Sequence, residues 1–280
     1  MTYATQVTGE RQLSLGEIDP ATHGGLTEDD ANAKRNGLAA ELRELQELVY
    51  AAELNAVLVI LQGMDGAGKD VTIANVFDGT NPQSCRVKAF KPRTDEEAAH
   101  DFLWRAHAPM PKLGEMVILD RSYYEQLIGE RVTGEAEEDV VRRRYEHVKA
   151  FERLLADDGK TIVLKFFLHV SEDEQGKRLD ERQANPDTAW KISANDWKAR
   201  DLWEDYMAAY EAAINACATK EAPWYVVPAD YQWFSNLTVA DVMIERLRPY
   251  RKTWEEGRDR RGEQERADAE QAQRDVADES

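Results

Sequence analysis

The sequence predicts an α/β fold, a three-layer sandwich on a central parallel sheet, and three observations predict it. Short, continuous apolar runs rich in β-branched residues occur at 56–61, 116–119, 161–168 and 224–228, as expected of strands covered on both faces. Helical or loop segments separate these runs, and strands that alternate with helices pair in parallel. A glycine-rich turn follows the first run at once, where such sheets hold their ligands.

The elements follow in chain order. Residues 1–27 carry Gly16, Pro20, Gly24 and Gly25 with little periodicity, and read as an irregular N-terminal arm. Thr27 and the acidic residues after it open a helix over 28–55, with Leu38, Leu42, Leu45, Leu48, Val49 and Leu54 on one face. The strand 56–61 runs into Gly63-Met64-Asp65-Gly66-Ala67-Gly68-Lys69-Asp70, and a helix is predicted from 70 to 77. After the third apolar run, Ser171-Glu172-Asp173-Glu174 opens a helix carrying Lys177, Arg178 and Arg182. Pro186 ends it, and a second helix is predicted over 193–218, with Ser193 and Asp196 as caps. Trp197, Leu202, Trp203, Tyr206 and Tyr210 form an aromatic and apolar stripe on that helix, which reads as core. Residues 255–280 alternate acidic residues with arginine and read as a frayed helix or a solvated tail. The organisation is thus an arm at 1–27, a single domain at 28–250 with a helical lid at about 171–200, and a charged tail at 251–280.

Composition bounds the function. With 42% hydrophobic and 32% charged residues the chain is an ordinary globular protein, and no apolar run is long enough to span a bilayer. Residues 1–10 lack the basic and apolar regions of a secretory signal, which predicts a cytoplasmic location without a membrane anchor. Cys85 and Cys217 stand apart without metal-binding spacing and read as buried thiols. A formal net charge of −18 argues against a DNA- or RNA-binding surface, so any polyanion must enter a local basic channel.

The run 63–70 matches the G-x-x-x-x-G-K part of a P-loop. Glycines let successive N–H groups face an anion, the helix N-terminus adds positive partial charge, and Lys69 supplies a full one. Asp70 stands where most such loops carry Ser or Thr; it implies either altered metal binding or a helix cap that points away. Asp65 reads as a metal ligand or proton acceptor, or as a turn residue bonded to backbone. Val117-Ile118-Leu119-Asp120 places a second carboxylate at a strand end, where it anchors a cation beside the loop. Arg121, Arg178 and Arg182 are candidates to clamp phosphoryl oxygens. The fold is therefore P-loop kinase-like, and the reaction phosphoryl transfer.

These residues resemble the polyphosphate kinase 2 family from about Gly37 to Arg248. The resemblance rests on the loop at 63–70, Asn81-Pro82-Gln83, Cys85-Arg86-Val87, Phe102-Leu103-Trp104-Arg105 and Asp120-Arg121-Ser122-Tyr123-Tyr124-Glu125, then on Lys177-Arg178-Leu179 with Arg182, Trp190-Lys191 and Ala222 to Asp230. It implies reversible transfer between inorganic polyphosphate and AMP or ADP, or the guanine equivalents, with Mg²⁺ or Mn²⁺ and with self-association into a homo-oligomer. Asp65 and Asp120 would then serve the metal, and Asp65, Lys69, Asp120, Arg121 and Arg178 the transfer. Gly66, Ala67, Gly68, Lys69, Asp70, Arg105, Arg121, Arg178, Arg182 and Lys191 would bind phosphate, and Asn81, Lys91 and Glu125 the nucleotide. Glu125, where ADP-preferring members commonly have asparagine, resembles the branch that accepts AMP as well. The family often has basic residues near Thr188 and Ala189 and an Asn-Lys-Trp run at 231–233, which this chain lacks. An ATP-dependent P-loop kinase of a nucleotide or small metabolite, or a non-catalytic polyphosphate- or nucleotide-binding module, would share the loop and the lid.

Overall fold

The computed structural model describes residues 3–157 and 160–278; positions 1, 2, 158, 159, 279 and 280 of the predicted arm, domain and tail lie outside the described residues. Six strands form one sheet: β1 (Thr5–Val7), β2 (Ala56–Gln62), β3 (Cys85–Ala89), β4 (Met116–Asp120), β5 (Thr161–His169) and β6 (Trp224–Pro228), in the order β1-β6-β5-β2-β4-β3. Every pairing is parallel except that of β1 with β6. β2 lies between β4 and β5, with Leu61 opposite Asp120 on one side and Phe166 on the other. From β2 the chain moves to β3 at one edge and back to β4, then crosses past β2 to β5 on its other side, and the crevice beyond the strand ends at this reversal is where a ligand fits.

The helices are α1 (Glu28–Ala52), α2 (Lys69–Val76), α3 (Asp95–Ala99), α4 (Trp104–His107), α5 (Tyr124–Val132), α6 (Glu138–Asp157), α7 (Glu172–Ala184), α8 (Ala194–Asp201), α9 (Trp203–Cys217), α10 (Gln232–Leu247) and α11 (Arg251–Asp278). Two groups flank the sheet: α1, α2, α10 and α11 pack together, and so do α5, α6 and α9. β2 is buried at every position, because both faces are covered. No helix among the described residues is long and apolar enough to cross a membrane.

Four differences from the sequence reading have physical causes. Part of the stretch read as an irregular arm forms the antiparallel edge strand β1, too short at three residues to show a period. β3 is an edge strand whose side chains are mostly exposed, so no apolar run marks it. The helix predicted over 193–218 is broken at Leu202, whose backbone (φ −109°, ψ 28°) is not helical, giving α8 and α9. The charged tail placed at 251–280 is helical from Arg251, in keeping with the helical reading of 255–280, but its start belongs to the domain core, because Trp254 in the first turns is fully buried and its indole N–H donates to Asn55 Oδ1 at 2.8 Å.

Candidate active site

β2 delivers the chain into the glycine loop, where Gly63 is required by space and Gly68 by its left-handed backbone, with the movable tip of Gln232 packed against it. A Cβ at Gly63 would lie 2.8 Å from the Leu168 carbonyl oxygen, and one at Gly68 (φ 98°) would lie 1.9 Å from Gln232 Oε1. Ala67 is fully buried beneath the loop. Lys69, 7% exposed, curls back to donate to the carbonyl oxygens of Gly63 (2.8 Å) and Met64 (3.1 Å), with Asp65 Oδ1 at 3.9 Å. Asp70, in the first turn of α2, pairs with Lys191 at 3.4 Å and makes no cap; Gly68 occupies the cap position.

A cavity of about 680 Å³ opens over this loop. Of the predicted site residues, Asp65, Gly66, Gly68, Lys69, Asp70, Asp120, Arg121, Arg178, Arg182 and Lys191 line it. Asp120 ends β4, and its Oδ1 is buried with no hydrogen-bond partner. Burial pushes its carboxyl above the usual range, and the nearby Lys69 only partly offsets this. An orphaned buried carboxylate oxygen beside a phosphate cradle fits a divalent cation, which would satisfy it. Asp65 differs. Burial works to raise its pKa, but the charges of Lys69 and Arg121 prevail and hold it below the usual range. It forms an ion pair with Arg121 and also meets Asp196 of α8, whose own carboxyl is raised by burial. The sequence reading took Asp196 only as a cap, which it is, through a reciprocal box with Ser193; its second contact, with Asp65, has no local signal. Among the described residues no group of three or more His, Cys, Asp or Glu side chains is placed to enclose a metal.

The arginines divide by what they touch. Arg178 donates to Glu174 at 2.9 Å and to the main-chain oxygens of Gly66 (3.1 Å), Ala229 (2.8 Å) and Asp230 (2.8 Å), so it ties the loop to the end of β6 while facing the cavity. Arg182 faces the same cavity one turn further along α7. Arg121 has φ 60°, a left-handed conformation uncommon for a long side chain. It pairs with Asp65 and, at 3.6 Å, with Glu125.

Arg121 also lines a second cavity of about 490 Å³, with Lys91, Arg105 and Glu125. Arg105, grouped by sequence with the phosphate path, thus sits here, bonded to the Lys91 carbonyl oxygen at 2.8 Å and to Glu97 at 3.2 Å. Asn81 joins neither cavity; its side-chain oxygen accepts the Gln83 N–H at 3.0 Å in a turn before β3. Residues that sequence reasoning missed here include Phe90, Arg93 and Asn195. Lys91-Pro92-Arg93 was a signal, but it follows the strand that had no apolar run. Thr188 lines the first cavity, while Ala189 and the 231–236 stretch line neither; Gln232 instead braces the loop, donating to Gly68 O at 3.4 Å and Thr72 Oγ1 at 3.3 Å. None of the stripe residues Trp197, Leu202, Trp203, Tyr206 and Tyr210 lines either cavity, and Tyr210 is buried in the core.

Comparison with known proteins agrees with this geometry. The family model described as polyphosphate kinase 2 matches residues 25–254. An AMP/ADP-polyphosphate phosphotransferase of Meiothermus ruber is 49% identical over 252 residues, covering 86% of this chain and 91% of the relative. An ADP-polyphosphate phosphotransferase of Rhodopseudomonas palustris is 39% identical, covering 77% and 78%. The crystal structure of polyphosphate kinase 2 from Arthrobacter aurescens TC1 superposes with a TM-score of 0.81 at 38% identity, covering 84% of this chain and 85% of that one. A glycine loop, a strand-end aspartate and a family model that spans them place this chain in the polyphosphate kinase 2 family.

Proposed function

We propose that the protein transfers a phosphoryl group reversibly between inorganic polyphosphate and a nucleoside mono- or diphosphate, AMP and ADP first. One observation carries the reading: two cavities, one on the P-loop and one flanked by Lys91 and Arg105, meet at a single arginine, Arg121. Such a pair suits a reaction in which a polyanionic donor and a phosphorylated acceptor must touch at one point. The first cavity eases the constraint of the net charge of −18, since Lys69, Arg121, Arg178, Arg182 and Lys191 gather there against the carboxylates Asp65, Asp70, Asp120 and Glu181, so the lining is far less acidic than the chain as a whole.

In this mechanism the loop amides and Lys69 hold the terminal phosphoryl of polyphosphate, and a nucleotide phosphate oxygen attacks in line from the second cavity. Positioning and charge neutralisation supply most of the acceleration. Lys69 exchanges the loop carbonyls for phosphate oxygens, and Arg121 offsets charge that spreads as the bond to the leaving chain lengthens. Family phosphotransferases of this kind use a divalent metal. Asp120 would hold it with Asp65 alongside, and Mg²⁺ or Mn²⁺ there would neutralise phosphate charge. Glu125, which lines the second cavity and accepts a hydrogen bond from Gln62 at 2.9 Å, stands where the family resemblance points to acceptance of AMP, and the name of the Meiothermus relative points the same way. A homo-oligomer and a cytoplasmic location complete the proposal.

The test is purified protein with polyphosphate as sole phosphoryl donor, Mg²⁺, and AMP or ADP in turn. New ADP or ATP is expected, and none when the metal is chelated. A protein that phosphorylates a small acceptor from ATP and ignores polyphosphate would replace this reading with an ATP-dependent kinase; tight binding without transfer would replace it with a binding module.

A further inference from the structure

Beneath the turn that carries Arg121 lies a charged cluster that the phosphate chemistry does not touch. Lys165 of β5 is 0% exposed and donates to Glu152 Oε2 of α6 at 2.6 Å and to the Cys217 carbonyl oxygen at 2.9 Å. Glu152 is 1% exposed, and its other oxygen accepts the hydroxyls of Tyr123 (2.9 Å) and Tyr124 (2.8 Å). Burial and the Glu152 charge push both phenols well above their ordinary range, so they remain donors. Each ion of such a pair gives up hydration that its partner only partly returns, and apolar residues of like volume often serve stability equally well. Cohesion alone is therefore a weak reason for the cluster.

Its place in the chain gives a better one. Tyr123 and Tyr124 are the second and third residues after Arg121, whose left-handed backbone needs its surroundings to hold it. The same turn is pinned sideways: Ser122 Oγ donates to Gln62 Oε1 at 3.1 Å and accepts the Tyr124 N–H at 3.2 Å. We infer that Glu152, oriented by Lys165, is a positioning residue that grips the Tyr123 and Tyr124 hydroxyls and so keeps the Arg121 guanidinium on the wall shared by the two cavities. The role rests on the transfer reaction proposed above.

The test is a Tyr123→Phe/Tyr124→Phe variant, which removes both grips, together with the 3.2 Å bond from Lys165 to the Tyr124 hydroxyl, and leaves the Lys165–Glu152 pair and its Cys217 contact in place. In the folded variant kcat is expected to fall about ten-fold with KM for polyphosphate within about two-fold, as for a group acting on the transition state. On an Arg121→Ala background the same two substitutions should cost nothing further, because the interaction they serve is gone. Hydrogen exchange at the Arg121 amide, which donates to Leu61 O at 3.0 Å, should quicken about ten-fold. Unchanged kcat in the folded variant, a loss that persists in full without Arg121, or unchanged exchange would each overturn the proposal. If the double variant does not fold, Tyr123→Phe alone goes through the same cycle, with about a three-fold effect expected. If the wild type transfers nothing from polyphosphate, the functional reading fails and the exchange measurement still decides the positioning role.

Discussion

Two lysine–carboxylate pairs lie on either side of the Arg121 turn, and they are built differently. Lys69 sits 3.9 Å from Asp65 at the edge of a cavity and spends its hydrogen bonds on loop carbonyls. Lys165 sits 2.6 Å from Glu152 with no route to solvent, and every bond it makes is to a fixed group. The first ammonium can trade carbonyls for a phosphate; the second can trade with nothing. A loose pair facing a cavity is therefore poised for chemistry, and a tight pair in the core holds geometry.

Breaking the tight pair should give the largest change. Lys165→Ala leaves Glu152 charged, buried and short of its main partner, and should cost about 3–5 kcal/mol of stability, read from the urea midpoint. Lys69→Ala should do the reverse, with a smaller loss of stability than Lys165→Ala but a roughly 10²–10³-fold fall in kcat with polyphosphate as donor. Equal stability losses from the two substitutions, or an active Lys69→Ala protein, would erase the distinction.

The two pairs also differ in how far the sequence reveals them. Lys69 announces itself because the loop chemistry needs glycines and a lysine at fixed spacing next to a buried strand, and β2, β4, β5 and β6 were legible as apolar runs for the same reason of double-sided burial. Lys165 is a lysine inside such a run, and nothing local says that Glu152, thirteen positions earlier on α6, reaches it. Contacts of this kind are set by packing between elements. The same holds for Asp196 meeting Asp65 across the lid and for Arg105 turning toward the second cavity. Asn81 shows the opposite hazard: a motif position whose side chain is used in its own turn. Edge strands β1 and β3 escaped notice because a short or exposed strand carries no hydrophobic signature.

A buried base without a tight carboxylate should follow a third course and give up its proton. His169, at the end of β5, is buried with Nδ1 unpartnered, and burial lowers its pKa against smaller opposing effects from the main chain of Ile18 and Leu15 and from Asp230 and Asp19. The unfolded chain then takes up a proton near pH 6.5 that the folded protein refuses, so the histidine's contribution to stability is complete above that pH and is lost as pH falls through and below it. The expected slope is up to about 1.4 kcal/mol per pH unit from this group, and it should disappear in His169→Gln. Urea titrations across pH 5–7.5 measure it; a wild type and variant with parallel profiles would mean that His169 takes up its proton as readily in the fold as in the unfolded chain.

The smallest effect should come from an exposed pair at the cavity. Lys191 and Asp70 lie 3.4 Å apart at 39% and 62% exposure, a setting in which solvent screens the attraction and two long side chains lose freedom to hold it. Lys191→Ala should change stability by no more than about 0.5 kcal/mol. Because Lys191 faces the P-loop cavity, its charge still acts on an incoming polyanion, and KM for polyphosphate should rise about two- to three-fold at low salt, where the Debye length is long, and converge with wild type near 1 M salt, where it shrinks to about 3 Å. A KM difference that survives high salt would instead make Lys191 a direct, desolvated phosphate contact, which would move it from the exposed class of pair into that of Lys69.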